Sequence, residues 1–316
     1  MSTQTSELRS VAGEPAENQD RRHKLKAHRG RGARAGLVGV ALLYVLVLLL
    51  APLGALLYYA LKSGFGAIGH TFADPDVRHA FYVTFEILVV TVTVTTVCGL
   101  VVALVLARDR FPGKALMSAV VNLPLAVSPI IVGLMAILLF GRGGWFEPFF
   151  AARGIQIIFA LPSMILVTIF ISIPFVIREL VPVLEELGME EEQAAWTLGA
   201  SRLQTFVRVT LPNIRWGLLY GIALSAARAI GEVGAVLVVS GLLQGKTETA
   251  PLYILRAFDQ FHEDQAYIVA LTLAAFSIVM LVSIEAFKRH STKRHSRNHR
   301  IRRGARRWQE ASRSEG

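Results

Sequence analysis

Arg228 and Glu232 stand four residues apart inside an apolar run, WGLLYGIALSAARAIGEVGAVLVVSG, residues 216–241. At the helical period both fall on one narrow face, about 40° apart, with Gly217, Gly221, Ser225 and Ala235. A charge near mid-membrane depth costs about 2.5–3.5 kcal/mol on insertion scales. Arg228 must therefore face protein or a water-filled path, and Glu232 is spaced to partner it. Two chemistries fit. One is a structural ion pair, on a face whose small residues let helices approach closely. The other is a gate, or a charge on the route of an anion. A fully neutralised Arg attracts anions poorly, so in the second case the pair has to open.

Other chemistry is thinner. GLLQGKTE, Gly241–Glu248, invites comparison with a phosphate-binding loop. That loop needs four residues between its glycines and a preceding strand. Here three residues separate Gly241 from Gly245, Ser240 holds the required glycine position, and an apolar helix precedes it. Nucleotide binding is excluded, and any ATPase belongs to another chain. No His-x-x-x-His or acidic cluster lies within the apolar spans, so a membrane enzyme and a metal centre are not expected. The single cysteine, Cys98, excludes an internal disulfide and reads as a packing residue.

The elements that hold these residues follow from composition. Of 316 residues 53% are hydrophobic and 18% charged, against about 25% charged in soluble domains. Such a chain is an all-α polytopic membrane protein. Six apolar stretches, near 36–61, 81–107, 115–140, 157–177, 214–243 and 266–287, are each long enough to cross a bilayer. In the third, Pro124 and Pro129 free backbone carbonyls that protein or water must meet. A kinked packing helix and one lining a pathway are both open there. An even number of spans puts both ends on one side. With the ends inside, 26 Lys and Arg lie within and 6 outside, Arg228 being the last of 33. The positive-inside rule then places both termini in the cytoplasm of a multi-pass inner-membrane protein. Residues 1–35 read as a disordered polar tail, 36–288 as the membrane domain, and 289–316 as a basic tail suited to anionic lipid heads. Membrane placement accounts for the net charge of +10, so no nucleic-acid partner is expected.

The longest structured polar interruption lies on the inner side, at residues 182–212. Its stretch EELGMEEEQAAWTLGASRLQTFVRVTLP predicts a helix, a turn at Gly199, and a second short helix capped by Ser201 with Gln204 as capping-box partner. Pro212 is expected to open the next span. Gln193, Ala194, Ala195, Gly199, Val209, Leu211 and Pro212 resemble the EAA loop of importer-type ABC-transporter permeases. That family usually has Glu where Gln193 stands and often Ile where Val209 stands. The resemblance implies the ABC importer permease fold and a cytoplasmic coupling helix. Its contact residues would be Gln193, Ala194, Ala195, Gly199, Leu211 and Pro212.

A narrower resemblance rests on ARAIGEVGAVLVVSG followed by GKTETAPLYI, with LPLAVSPIIVGL and the FPGK turn at Phe111–Lys114. These runs are similar to the sulfate/thiosulfate permeases of ABC importers, in particular the second of their two permease subunits. The family usually has Phe where Val233 stands. The similarity implies a non-enzymatic permease without cofactor, translocating sulfate or thiosulfate, with molybdate or tungstate as the alternative. Its partners would be a second permease, two ATPase subunits and an extracytoplasmic sulfate-binding protein. Arg228, Gly231, Glu232 and Gly234 would be its path or gate residues.

Overall fold

The computed structural model describes residues 16–283, with side chains from residue 36; the basic tail 289–316, the end of the sixth span and residues 1–15 lie outside them. All regular elements among the described residues are helical. The chain divides into two compact units, 1–59 and 60–316. The first is dominated by α1 (Ala16–Lys62). Its helix begins at Ala16, ahead of the apolar span that starts near Gly36. The segment AENQDRRHKLKAHRGRGARA is rich in Ala, Lys, Arg, Gln and Glu, all good helix formers, and it adjoins an apolar helix that needs no new nucleus.

The second unit is built on three long helices, α3 (Pro75–Arg108), α7 (Leu161–Leu187) and α10 (Leu211–Ile230). A short α2 (Gly64–Ala73) precedes α3, whose start is capped by Asp74 accepting from the Asp76 N–H at 2.9 Å. Helices α3 and α7 run parallel: Val83 and Ile87 cluster with Met164, Val167 and Ile171, and Ala103 and Leu106 with Ile177, Leu180 and Leu184. Helix α10 runs antiparallel to both, with Gly217 against Val183, Gly221 against Val176, and Ser225 Oγ 3.0 Å from Thr95 Oγ1. Val176 is held between two glycines. A Cβ at Gly99 would meet its Cβ at 2.9 Å, and one at Gly221 its Cα at 3.1 Å. The small-residue face read from the sequence is thus the seam that lets α10 approach α7.

Two spans are broken. Helices α4 (Lys114–Ala126) and α5 (Pro129–Phe140) meet at 110°. Ser128 is held extended by the proline that follows it. Lys114 and Ser118 of α4 line a groove with Glu185 and Pro182 at the end of α7, whereas Val132 and Ala136 of α5 cluster with Met164 near its start. The pair therefore traverses the core despite its bend. Helix α10 and α11 (Gly234–Ser240) meet at 53° across Gly231–Val233. A short α6 (Glu147–Ala151) lies between α5 and α7, and α12 (Ala250–Asp259) precedes the last span, α13 (Glu263–Ser283). Among the described residues the count is four unbroken apolar helices, or up to six spans when each bent pair is one. The fourth span is longer than the expected 157–177, because the polar residues after Ile177 continue α7 to Leu187.

Candidate functional site

The break in the fifth span is built by its own charges. Arg228 lies in the last turn of α10, and Glu232 lies just before α11. Arg228 Nη1 is 2.6 Å from Glu232 Oε2, an ion pair whose angles fall outside hydrogen-bond geometry. The other carboxylate oxygen accepts from the Ala235 N–H at 2.9 Å, inside the first turn of α11. Each charge thus complements a helix end, the cation at a C-terminus and the anion at an N-terminus. The Glu232 side chain is 2% exposed and that of Arg228 29%. The single-helix wheel drawn from the sequence is corrected here: α10 stops at Ile230, so the positions of Glu232 and Ala235 are set by the turn. The pair survives because its members are close in sequence.

Gly231 is exposed at the turn, and Gly234 packs on the third-span break. A Cβ at Gly234 would meet Pro129 Cβ at 3.0 Å, and one at Gly133 would meet the Ala235 carbonyl at 2.9 Å. The structure therefore brings Arg228, Gly231, Glu232 and Gly234 together, and sets them against α5. The two interruptions of helix thus pack directly on each other. Sequence reading noted the prolines and the glycines separately and missed that they touch.

At the other end of the core, α7 stops at Gly188 (φ +63°), and α8 (Glu190–Thr197) begins the 188–212 loop. Gly199 has φ +84°, a conformation that a Cβ disfavours. Ser201 and Gln204 form the expected capping box, with reciprocal bonds of 3.3 and 2.9 Å, at the start of α9 (Arg202–Thr205). Pro212 stands in the first turn of α10 as expected, but that helix does not start afresh, because a π-turn (Phe206–Thr210) carries α9 into it. The Leu211 N–H reaches back to the Phe206 carbonyl, a wider turn that accommodates the donor missing at Pro212. Leu211 is half-buried and Pro212 exposed. Gln193 and Ala194 are exposed and Ala195 half-buried. Around them an apolar surface is open, with Leu198 89% and Leu203 71% exposed and Trp196 and Val207 beside them in sequence.

Sequence reading missed what fastens this loop. Arg108 ends α3, and its Nη2 donates to Glu192 Oε1 at 2.9 Å. Its Nη1 donates to the Leu184 carbonyl at 3.0 Å, one of the last four in α7 that lack a helical partner. Thr210 Oγ1 donates to the same Glu192 oxygen at 2.8 Å. Glu192 looked like one of three equivalent glutamates, and nothing local distinguishes it.

The phosphate-loop lookalike follows α11 and closes on itself. Thr247 Oγ1 donates to the Ser240 carbonyl at 2.5 Å. Glu248 is 1% exposed and takes two bonds from Arg256, at 2.6 and 2.8 Å, while Asp76 stands 3.5 Å from the same guanidinium. Burial pushes the Glu248 carboxyl above its ordinary value, against the pull of Arg256. No group of three metal-ligating side chains occurs among the described residues.

Parallel α3 and α7, a broken pair on each of two spans and a polar helical loop at one end define an all-helical protein with up to six apolar spans among the described residues. Its backbone superposes on the crystal structure of a bacterial ABC transporter that imports alginate, with a TM-score of 0.70 over 85% of this chain and 99% of that one, at 17% identity. Residues 96–297 match the model of the binding-protein-dependent transport system inner membrane component. The chain belongs to that family. Among relatives, it is 46% identical to the sulfate transport system permease protein CysW of Synechocystis sp., over 81% of this chain and 92% of that one. It is 41% identical to CysW of Escherichia coli K12, over 78% and 84%. It is 36% identical to the CysT permease of Synechocystis sp., over 78% and 86%.

Proposed function

We propose that the chain is one of two permease subunits of a sulfate importer driven by ATP hydrolysis on separate subunits. The observation that carries the substrate is its 46% identity to a sulfate permease along most of both chains. The relatives compared above are sulfate permeases and give no support to the molybdate alternative. A CysT-type permease completes the pore, two ATPase subunits grip the 188–212 loop, and a binding protein outside delivers the anion. Both termini lie in the cytoplasm, as the 26 to 6 division of Lys and Arg favours. The open apolar surface at Leu198 and Leu203 supports the ATPase contact, since an amphipathic helix docks by laying its apolar face in a groove.

In this reading Arg228 serves the anion only when it is released from Glu232. A movement that changes the 53° bend separates cation from carboxylate, because their backbone positions lie on opposite sides of the break. Gly231 and Gly234 let that turn move. Radiolabelled sulfate uptake by cells carrying only this permease system tests the substrate. Excess thiosulfate should compete and excess molybdate should not; competition by molybdate alone would overturn the assignment. For the gate, Arg228→Met combined with Glu232→Gln replaces a buried pair by less charged groups, which is often neutral for stability. The double variant should accumulate normally and transport poorly. Near-normal uptake would reduce the pair to a packing lock. Reporters fused after residues 112 and 200 should read cytoplasmic, and after 154 and 245 external.

A further inference from the structure

We propose that Arg108 is the positioning residue that transmits movement of the 188–212 loop to the membrane helices. The inference rests on the reading of that loop as the ATPase's grip. One guanidinium joins four elements: it ends α3, caps a carbonyl in the last turn of α7, and binds Glu192 of α8, which also accepts from Thr210 just before α10. Arg108 and Glu192 are 84 residues apart, and their side chains are 13% and 11% exposed. Screening by salt is weak at that burial, unlike at surface pairs.

The rest of the loop's attachment is slighter. Helix α8 packs mainly on α9 and the π-turn, which belong to the same loop. Asn213 bonds Glu191 in an exposed position. A force applied to the face of α8 therefore passes through Glu192 to the C-terminal ends of α3 and α7 together. Those helices are parallel and packed along their length, so they respond as one body. Helix α10 receives the same force through Thr210. The Gly217 and Gly221 seam lets α10 slide against α7, and the Arg228–Glu232 break lies at its far end.

A simple staple would hold the loop in place and do nothing else, so the test must read coupling. The complete transporter is purified from its own cells by a tag on this chain and reconstituted with ATP inside vesicles. Glu192→Gln and Arg108→Gln should leave co-purified ATPase unchanged and basal hydrolysis within about twofold, while sulfate moved per ATP falls about tenfold. Asn213→Ala should leave both unchanged. The exchange Arg108→Glu with Glu192→Arg should recover at least part of the lost stoichiometry. Unchanged stoichiometry in the charge variants, or sulfate uptake that falls only in step with lost ATPase, would overturn the proposal. If the charge variants fail to accumulate, Thr210→Val decides, because it removes one hydroxyl bond and leaves the ion pair intact. It should lower sulfate per ATP by about two- to fivefold, and no change overturns the proposal. A wild-type transporter that moves no sulfate sinks the substrate reading instead. Coupling is then read from spin labels at Glu190→Cys, exposed on α8 away from the apolar patch, and Val101→Cys in a Cys98→Ser background. ATP should leave their separation constant in the wild-type background and lengthen it with Glu192→Gln. Identical behaviour in the two overturns the inference.

Discussion

Two loops at opposite ends of the core each bury an arginine against a glutamate, and they use the pair differently. In the 241–262 loop, Arg256 gives its two short bonds to Glu248, eight residues away, and only a long 3.5 Å one to Asp76 at the start of α3. The pair closes the loop on itself, and Thr247 tightens the same turn. In the 188–212 loop, Arg108 divides its donors between Glu192 and the end of α7. That pair fastens the loop to remote helices and leaves Leu198 and Leu203 open. A local, bidentate pair makes a rigid cap. A divided, long-range pair makes a joint, which can pass a displacement on.

The comparison breaks most visibly at the cap. Arg256→Ala leaves Glu248 buried with no strong partner, a loss of about 3–5 kcal/mol for a broken buried pair. The variant should fail to accumulate in the membrane, as measured by immunoblot of membrane fractions. On the joint, Leu198→Asp with Leu203→Asp puts charge on an exposed apolar face. The chain should accumulate normally and retain little ATPase on purification, a drop of about thirtyfold or more if these residues are a hot spot. Full retention of ATPase would place the grip elsewhere.

A smaller effect is expected at Gly199. Val there must adopt φ near +84°, at a cost of about 1–2 kcal/mol, whereas Asn tolerates that region. Gly199→Val should weaken ATPase retention about tenfold and Gly199→Asn hardly at all. The smallest effect is the pH response of the cap. The Glu248 pKa is raised in the folded chain by burial. Its contribution to stability is therefore fully present below the unfolded value and is lost as pH rises through the higher folded value. The thermal midpoint of wild type relative to Glu248→Gln should improve on acidification from neutral pH towards 4.5. An opposite trend would mean that attraction to Arg256 outweighs burial.

What could be read in the sequence is what short segments decide alone. The apolar stretches, the turn at Gly199, the Ser201–Gln204 box and the Arg228–Glu232 pair were legible, because each depends on residues within a few positions. The rest was settled by contacts between distant segments. The break after Ile230 sits where Gly234 meets Pro129, and no local pattern announces that meeting. Pro212 does lie in the first turn of α10, but nothing local announces the π-turn that joins α10 to the short helix before it. Glu192 differs from Glu190 and Glu191 only in facing Arg108, 84 residues earlier in the chain. Composition and periodicity fix backbone preference and depth in the membrane. Which charge meets which, and where a helix may stop, depends on packing that only the assembled helices provide.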